Sequence, residues 1–304
     1  MIPNPTTTGT IPFDQGQTWF RVTGDLSDPG VPLIVLHGGP GAPHDYLLRY
    51  AELAERGRRA VIHYDQIGCG RSTHLPHVPD SYWTPKLFLD ELDAVLAHFG
   101  IADRYAVLGQ SWGGVLASEH AVRRPPGLRA LVIADSPASI DLWVSEANRL
   151  REQLPPEVQR TLLAHEAAGT TDGAEYLAAC EVFYARHLCL VHPKPPEVKA
   201  TDDALLANMQ VYLAMNGPSE FHAIGSFRDW TIVDRAHLIA APTLLISGRF
   251  DEATPATVQP FADNIPDVRW TIFEHSSHLP HVEETEPTLT TVAAFLAAYD
   301  EPRC

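Results

Sequence analysis

Apolar residues in this chain gather into short unbroken runs rather than alternating with polar ones. Such runs stand at 32–37 (PLIVLH), 60–65 (AVIHYD), 105–109 (YAVLG), 128–136 (LRALVIADS), 242–248 (PTLLISG) and 268–274 (VRWTIFE). Continuous runs of leucine and β-branched residues predict strands covered on both faces, the condition of a parallel sheet. Between them the period lengthens to that of a helix, predicted over 44–56, 86–99, 113–124, 255–264 and 286–299. Strand and helix in alternation predict an α/β fold with right-handed crossovers. The alternation stops between about 139 and 236. Only helical segments follow there: DLWVSEANRLREQL, EVQRTLLAHEAAG, AEYLAACEVFYARHLCLV and DALLANMQVYLAMN, separated by the proline clusters LPPE and HPKPPE. The expected organisation is a core in two parts, 1–138 and 237–304, interrupted by a helical cap at 139–236. No internal repeat or low-complexity tract interrupts this pattern.

Composition narrows the class of function. At 304 residues, 45% of them hydrophobic, the chain can bury a large core. No stretch approaches the length of a membrane-spanning helix. The opening MIPNPTTTGTIPFDQ lacks the basic and apolar regions of a signal peptide. Four cysteines at irregular spacing do not form a disulfide framework, so a cytoplasmic protein is expected. The net charge of −16 argues against nucleic acid or an anionic membrane as partner. Oligomeric state is not legible.

The chemistry-bearing residues cluster at the ends of the predicted strands. GQSWG (109–113) is Gly-x-Ser-x-Gly placed between an apolar strand and a helix. That context predicts a sharp turn exposing the Ser111 hydroxyl at the sheet edge. A serine hydroxyl needs a base, and the base needs a carboxylate to fix its tautomer. In folds with such a turn these follow in the order Ser, Asp, His, in loops after late strands. SGRFDEATP supplies Asp251, with Glu252 in the same loop and Asp229 further off. EHSSHLPHVEE supplies His275, His278 and His281. His278 is the expected base, because it lies far enough past the strand to fold back over the sheet edge. The His-x-x-His-x-x-His run lacks a second ligand cluster, so neither a metal nor another cofactor is expected. A tetrahedral intermediate also needs two backbone N–H groups aimed at its oxyanion. Trp112, after the nucleophile, is one. The glycine-rich HGGPG (37–41) supplies the other, from Gly39 or alternatively Gly38, with His37 bracing the loop.

The segments HGGPG, YDQIGCGRS, GQSWGG, MNGPSEF, RDW and SGRFDEATP together resemble the proline iminopeptidases of the α/β-hydrolase fold, over residues 12–298. VSEANRLREQLP and SSHLPHVEE resemble most closely the L-amino acid amidases, or proline amide hydrolases, of that group. The resemblance implies an α/β-hydrolase fold: a mostly parallel sheet flanked by helices, with an inserted helical cap domain. It implies a serine hydrolase acting on a residue with a free α-amine, whose ammonium is gripped by Glu220 and Glu252 with Tyr212 nearby. Read without the resemblance, each glutamate either touches substrate or does not, Glu252 then being solvated or paired with Arg249 and Glu220 a surface residue. Trp112, Phe221 and Trp230 either line an apolar pocket or pack. The expected activity is hydrolysis of small L-amino acid amides such as L-prolinamide through an acyl-enzyme. The alternative is a proline iminopeptidase acting on short peptides. An esterase and a non-catalytic binding protein stand behind these.

Overall fold

The computed structural model describes residues 2–300. In chain order the elements are β1 (Thr7–Phe13), β2 (Gly16–Thr23), β3 (Leu33–Leu36), a 3₁₀ segment His44–Glu52 running into α1 (Leu53–Gly57), β4 (Val61–Asp65), α2 (Pro85–His98), β5 (Tyr105–Gln110), α3 (Trp112–Val122) and β6 (Leu128–Ala134). Then come α4 (Ile140–Arg151), α5 (Pro156–Ala168), α6 (Ala174–His187), α7 (Pro196–Ala207) and α8 (Gln210–Met215). The chain closes with β7 (Thr243–Gly248), α9 (Pro255–Asn264), β8 (Val268–Phe273), α10 (Pro280–Glu283) and α11 (Thr285–Ala297).

The eight strands form one sheet in the order β1-β2-β4-β3-β5-β6-β7-β8. From β4 to β8 all pairings are parallel, while β1 and β2 are antiparallel at one edge. Every residue of β3, β4, β5 and β7 is buried. Their two sets of side chains feed separate cores. Leu33, Val35, Leu108 and Ile246 pack with Leu289 and Phe295 of α11, whereas Ile34, Leu36, Val107 and Leu245 pack with Leu92 of α2 and Val115 of α3. This is the two-sided burial that the unbroken apolar runs require.

The hairpin β1–β2 carries no such run. Its outer strand, TTGTIPF, has a mostly exposed pattern and pairs on one side only, which tolerates Gly9 and Pro12. The final helical run of the inserted region also differs from the expectation. α7 begins at Pro196, whose missing N–H suits a first helical turn. It ends before Asn208, which is extended at φ −150° and ties its side-chain amide to the Gly68 carbonyl (2.9 Å).

No strand of the sheet lies between β6 and β7. The chain leaves and returns at one point, where Ile140 N–H bonds the Trp230 carbonyl (3.0 Å) and Ile232 N–H the Ala138 carbonyl (3.0 Å). Inside this excursion Leu150, Leu162, Tyr176, Phe183 and Phe221 form a third core. Among the described residues no helix is long and apolar enough to cross a membrane.

Candidate active site

β5 ends at Gln110 and α3 begins at Trp112, so Ser111 alone makes the turn, at φ 56°. A non-glycine residue in that region is strained and persists only where its surroundings fix it. Ser111 N–H bonds the Ala134 carbonyl (2.9 Å). The flanking glycines are required by space. A Cβ on Gly109 would stand 2.0 Å from the Gly113 carbonyl oxygen, and one on Gly113 would stand 2.1 Å from that of Leu36.

Asp251, just past β7, and His278, past β8, meet over this turn. Asp251 Oδ1 lies 2.7 Å from His278 Nδ1 and accepts the Ala253 N–H (2.9 Å). Ser111 and His278 line one cavity. Burial by itself would lower the His278 pKa, but Asp251, then Glu220 and Glu283, reverse this and hold it above that of a free imidazole. The other candidates are elsewhere. His275 is exposed, and His281 Nε2 faces the Tyr46 carbonyl (3.0 Å), with burial pushing its pKa down to about 3. Asp229 is exposed beside Arg228.

Gly39 and Trp112 flank Ser111 in the same cavity, with Gly39 at φ 108°. Gly38 N–H is committed, since it donates to the Tyr46 hydroxyl (2.8 Å). Tyr46 in turn donates to Gln110 Oε1, and Gln110 Nε2 donates to the His278 carbonyl (3.0 Å). This chain of bonds ties the glycine turn, the Ser111 elbow and the His278 loop together. Behind it stands His37, whose Nε2 accepts the Gln66 N–H (2.8 Å) and whose pKa burial lowers to about 4. It is a neutral brace.

Glu220, Glu252 and Tyr212 are brought together on the other side of His278. Tyr212 hydroxyl donates to Glu220 Oε1 (2.6 Å), both residues line the cavity, and Glu252 Oε1 stands 3.9 Å from His278 Nε2. Arg249 does not pair with Glu252; it turns to Glu274 (2.6 Å). Burial raises the Glu220 pKa to about 7. Burial, then the charges of Glu220 and Asp251, raise that of Glu252 well above the ordinary range. Among the described residues neither carboxylate has a lysine or arginine within ion-pair distance. Glu220, half-buried on the cavity wall, and Glu252, buried beside His278, are left without a cationic partner, whereas Lys194 on the same cavity is paired with Asp202 (2.8 Å).

The cavity has two lobes meeting at Ser111. One is aromatic, lined by Trp112, Trp143 and Phe227; the other is lined by Leu188, Val198, Leu205 and Leu279, with the Lys194–Asp202 pair (2.8 Å) also on its wall. Of the three aromatic residues that were to line a pocket or pack, Trp112 lines this one and the other two pack elsewhere. Phe221 packs on Phe183 in the third core, and Trp230 donates its indole N–H to Glu119 (2.8 Å). Tyr46, Gln110, Trp143 and Phe227 escaped the sequence reading. Only Gln110 carried a signal, as the residue preceding the nucleophile.

A serine on a strained strand-to-helix turn, with a carboxylate-held imidazole beside it, defines a serine hydrolase of the alpha/beta hydrolase fold. That family matches residues 31–285. A proline iminopeptidase of Lactiplantibacillus plantarum is 32% identical over 296 residues, covering 95% of this chain and all of its own. The crystal structure of a proline iminopeptidase from Mycobacterium smegmatis superimposes with a TM-score of 0.89 at 49% identity, covering 97% of this chain and 99% of that one. The crystal structure of VinJ gives 0.95 at 52% identity, over 97% and 100%. The chain belongs to the proline iminopeptidase family. None of these three relatives is named as an amidase.

Proposed function

We propose that the chain is an aminopeptidase that releases an N-terminal proline, or a residue of similar size, from short peptides with a free α-amine. Ser111 Oγ attacks the scissile carbonyl while His278 Nε2 takes its proton, and Asp251 holds Nδ1–H and the imidazolium that forms. The Gly39 and Trp112 N–H groups receive the oxyanion. His278 then protonates the leaving amine, and water attacks the acyl-enzyme by the same steps. Residues 139–236 act as a cap that carries Glu220 and Tyr212 over the sheet edge and, with Glu252 of the core, sets how far the α-ammonium lies from Ser111.

The observation that carries this reading is the pair of carboxyls beside His278, Glu220 on the cavity wall and Glu252 Oε1 at 3.9 Å from His278 Nε2, neither ion-paired to a lysine or arginine among the described residues; Lys194, which also lines the cavity, is held by Asp202 (2.8 Å). Hydrolysis of L-amino acid amides is the same chemistry with ammonia as leaving group. The aliphatic lobe and the names of the relatives favour the larger leaving group of a peptide. Comparing kcat/KM for a prolyl dipeptide, L-prolinamide, their N-acetyl derivatives and a simple ester tests it. Free-amine substrates should exceed acetylated ones by a factor on the order of 10² or more. Equal rates would remove the amine site from the proposal.

A further inference from the structure

One buried carboxyl at the centre of the site has no part in the steps above. Asp135 follows β6, is fully buried, and sits at φ 50° in the left-handed region that strains a non-glycine residue. Two bonds to β7 hold it there. Its N–H donates to the Ile246 carbonyl (2.8 Å), and its Oδ1 accepts the Gly248 N–H (3.1 Å). β7 is also the strand that delivers Asp251, and the two carboxyls come within hydrogen-bonding reach.

The donors around the pair do not suffice if both are ionised. Asp251 Oδ1 serves the Ala253 N–H and His278 Nδ1. Asp251 Oδ2 and Asp135 Oδ2 are both buried and, among the described residues, without a donor. Two carboxylates only accept, so they cannot satisfy each other; a single proton between them satisfies both. We propose that Asp135 carries this proton at neutral pH and donates it to Asp251 Oδ2, acting as the positioning residue that fixes the Asp251 carboxylate for His278.

The surroundings favour the neutral form. Asp251 and Glu252 follow β7, His278 and Glu283 follow β8, and Tyr46 and Tyr50 face the pair from the 3₁₀ segment. Apart from His278 when protonated, these groups are neutral or negative. Burial, then the charge of Asp251, push the Asp135 pKa well above the ordinary carboxylate range. A neutral acid donating to Oδ2 spreads the Asp251 charge and keeps Oδ1 free for His278. It also limits how far Asp251 raises the His278 pKa.

The proposal rests on the Ser111–His278–Asp251 assignment, so its test has a readout independent of turnover. Asp135→Asn preserves shape, the acceptor for Gly248 N–H and a donor for Asp251 Oδ2, with no change of charge. It should keep kcat within about threefold of the parent and leave the acid limb of the pH profile in place. Asp135→Ala removes the donor. Its kcat should fall by a factor on the order of 10 to 10², and its acid limb should move to higher pH. An acid limb moved about one pH unit lower in Asp135→Asn would mean that an ionised Asp135 had been lost, and would overturn the proposal. So would an Asp135→Ala variant with the parent's kcat and profile, or an Asn variant as impaired as the Ala one. Should Asp135→Ala not fold, the infrared difference between the parent and Asp135→Asn at pH 7 decides. A protonated-carboxyl C=O band present only in the parent supports the proposal, and its absence refutes it.

Discussion

Two buried acidic clusters flank the Ser111 turn, and they are built to opposite rules. On one side Asp65 takes the backbone and ring nitrogens of His44 (2.9 and 2.7 Å) and the N–H of Arg71 (2.9 Å). Burial would raise its pKa, but His44 overrides this and holds it well below the usual carboxylate range. On the other side Glu252 Oε2, Asp251 Oδ2 and Asp135 Oδ2 have no donor among the described residues, and burial drives Glu220, Glu252 and Asp135 upward. Asp65, Asp135, Asp251 and Glu252 are all buried, whereas Glu220 is half-buried on the cavity wall. The first is satisfied by the protein; in the second, Asp135 and Asp251 share the proton proposed above, and Glu252 with Glu220 is left for the α-ammonium of the proposed substrate. Polar atoms buried without partners cost stability, so the Glu252 carboxyl retained that way is a candidate for binding.

The largest effect should come at the residue between the clusters. Ser111→Ala removes the nucleophile but touches neither network. It should fold as the parent does and lose on the order of 10⁴-fold or more in kcat. Retention of a tenth of the activity would place the chemistry elsewhere.

Next comes the unsatisfied cluster itself. Glu220→Gln and Glu252→Gln should each lower kcat/KM on free-amine substrates by about 2–4 kcal/mol, the scale of leaving a desolvated ammonium without its charge partner. A neutral ester needs only the triad and the oxyanion donors, so it should be hydrolysed nearly as before. Equal losses on both substrates would make the glutamates structural and erase the distinction between the clusters.

Stability should separate the clusters by sign. The depressed pKa of Asp65 means that its charged form stabilises the fold above its unfolded value, and that this is lost as pH falls through its folded one. Asp65→Asn should therefore destabilise at pH 7, by about 2–4 kcal/mol. The raised pKa of Glu252 means the reverse: stability falls as pH rises above about 4.3, the unfolded value of a glutamate. Glu252→Gln should raise Tm, and by more at pH 8 than at pH 5. Thermal unfolding of both variants at the two pH values decides, and a lower Tm for Glu252→Gln would sink the idea.

Sequence made one part of this readable and hid another. Parallel strands write themselves as largely unbroken apolar runs, so six of the eight strands were legible, the half-exposed β8 among them; β1 and β2 were not, because β1 is an exposed edge and β2, though largely buried, mixes polar and charged residues with its apolar ones. Ser111, Asp251 and His278 follow from a local turn and from chain order. Glu220 and Glu252 needed the family resemblance, since nothing local says that Arg249 turns to Glu274 and leaves Glu252 bare. Tyr46 with Gln110, and Asp135 with Asp251, are contacts between distant segments. Only the folded chain reveals them.

The smallest effect concerns the histidine that the unsatisfied cluster influences. In the proposed mechanism His278 must be neutral to accept the Ser111 proton, so activity should fall as pH drops through its pKa, which the surrounding carboxylates hold above that of a free imidazole. Glu220 contributes to that lift, and its own titration near pH 7 overlaps it, so on free-amine substrates the acid limb reports both protons together. A neutral ester isolates the histidine. Glu220→Gln removes a negative charge from the His278 field, and its acid limb on the ester should move to lower pH by about half a unit, a change of about 0.7 kcal/mol. Asp65→Asn serves as the contrast, because Asp65 lies on the satisfied side and is not among the charges that lift His278; its limb should stay in place. A limb that moved upward in Glu220→Gln, or that moved as far in Asp65→Asn, would mean that the two clusters act on His278 alike and that their difference is one of packing alone.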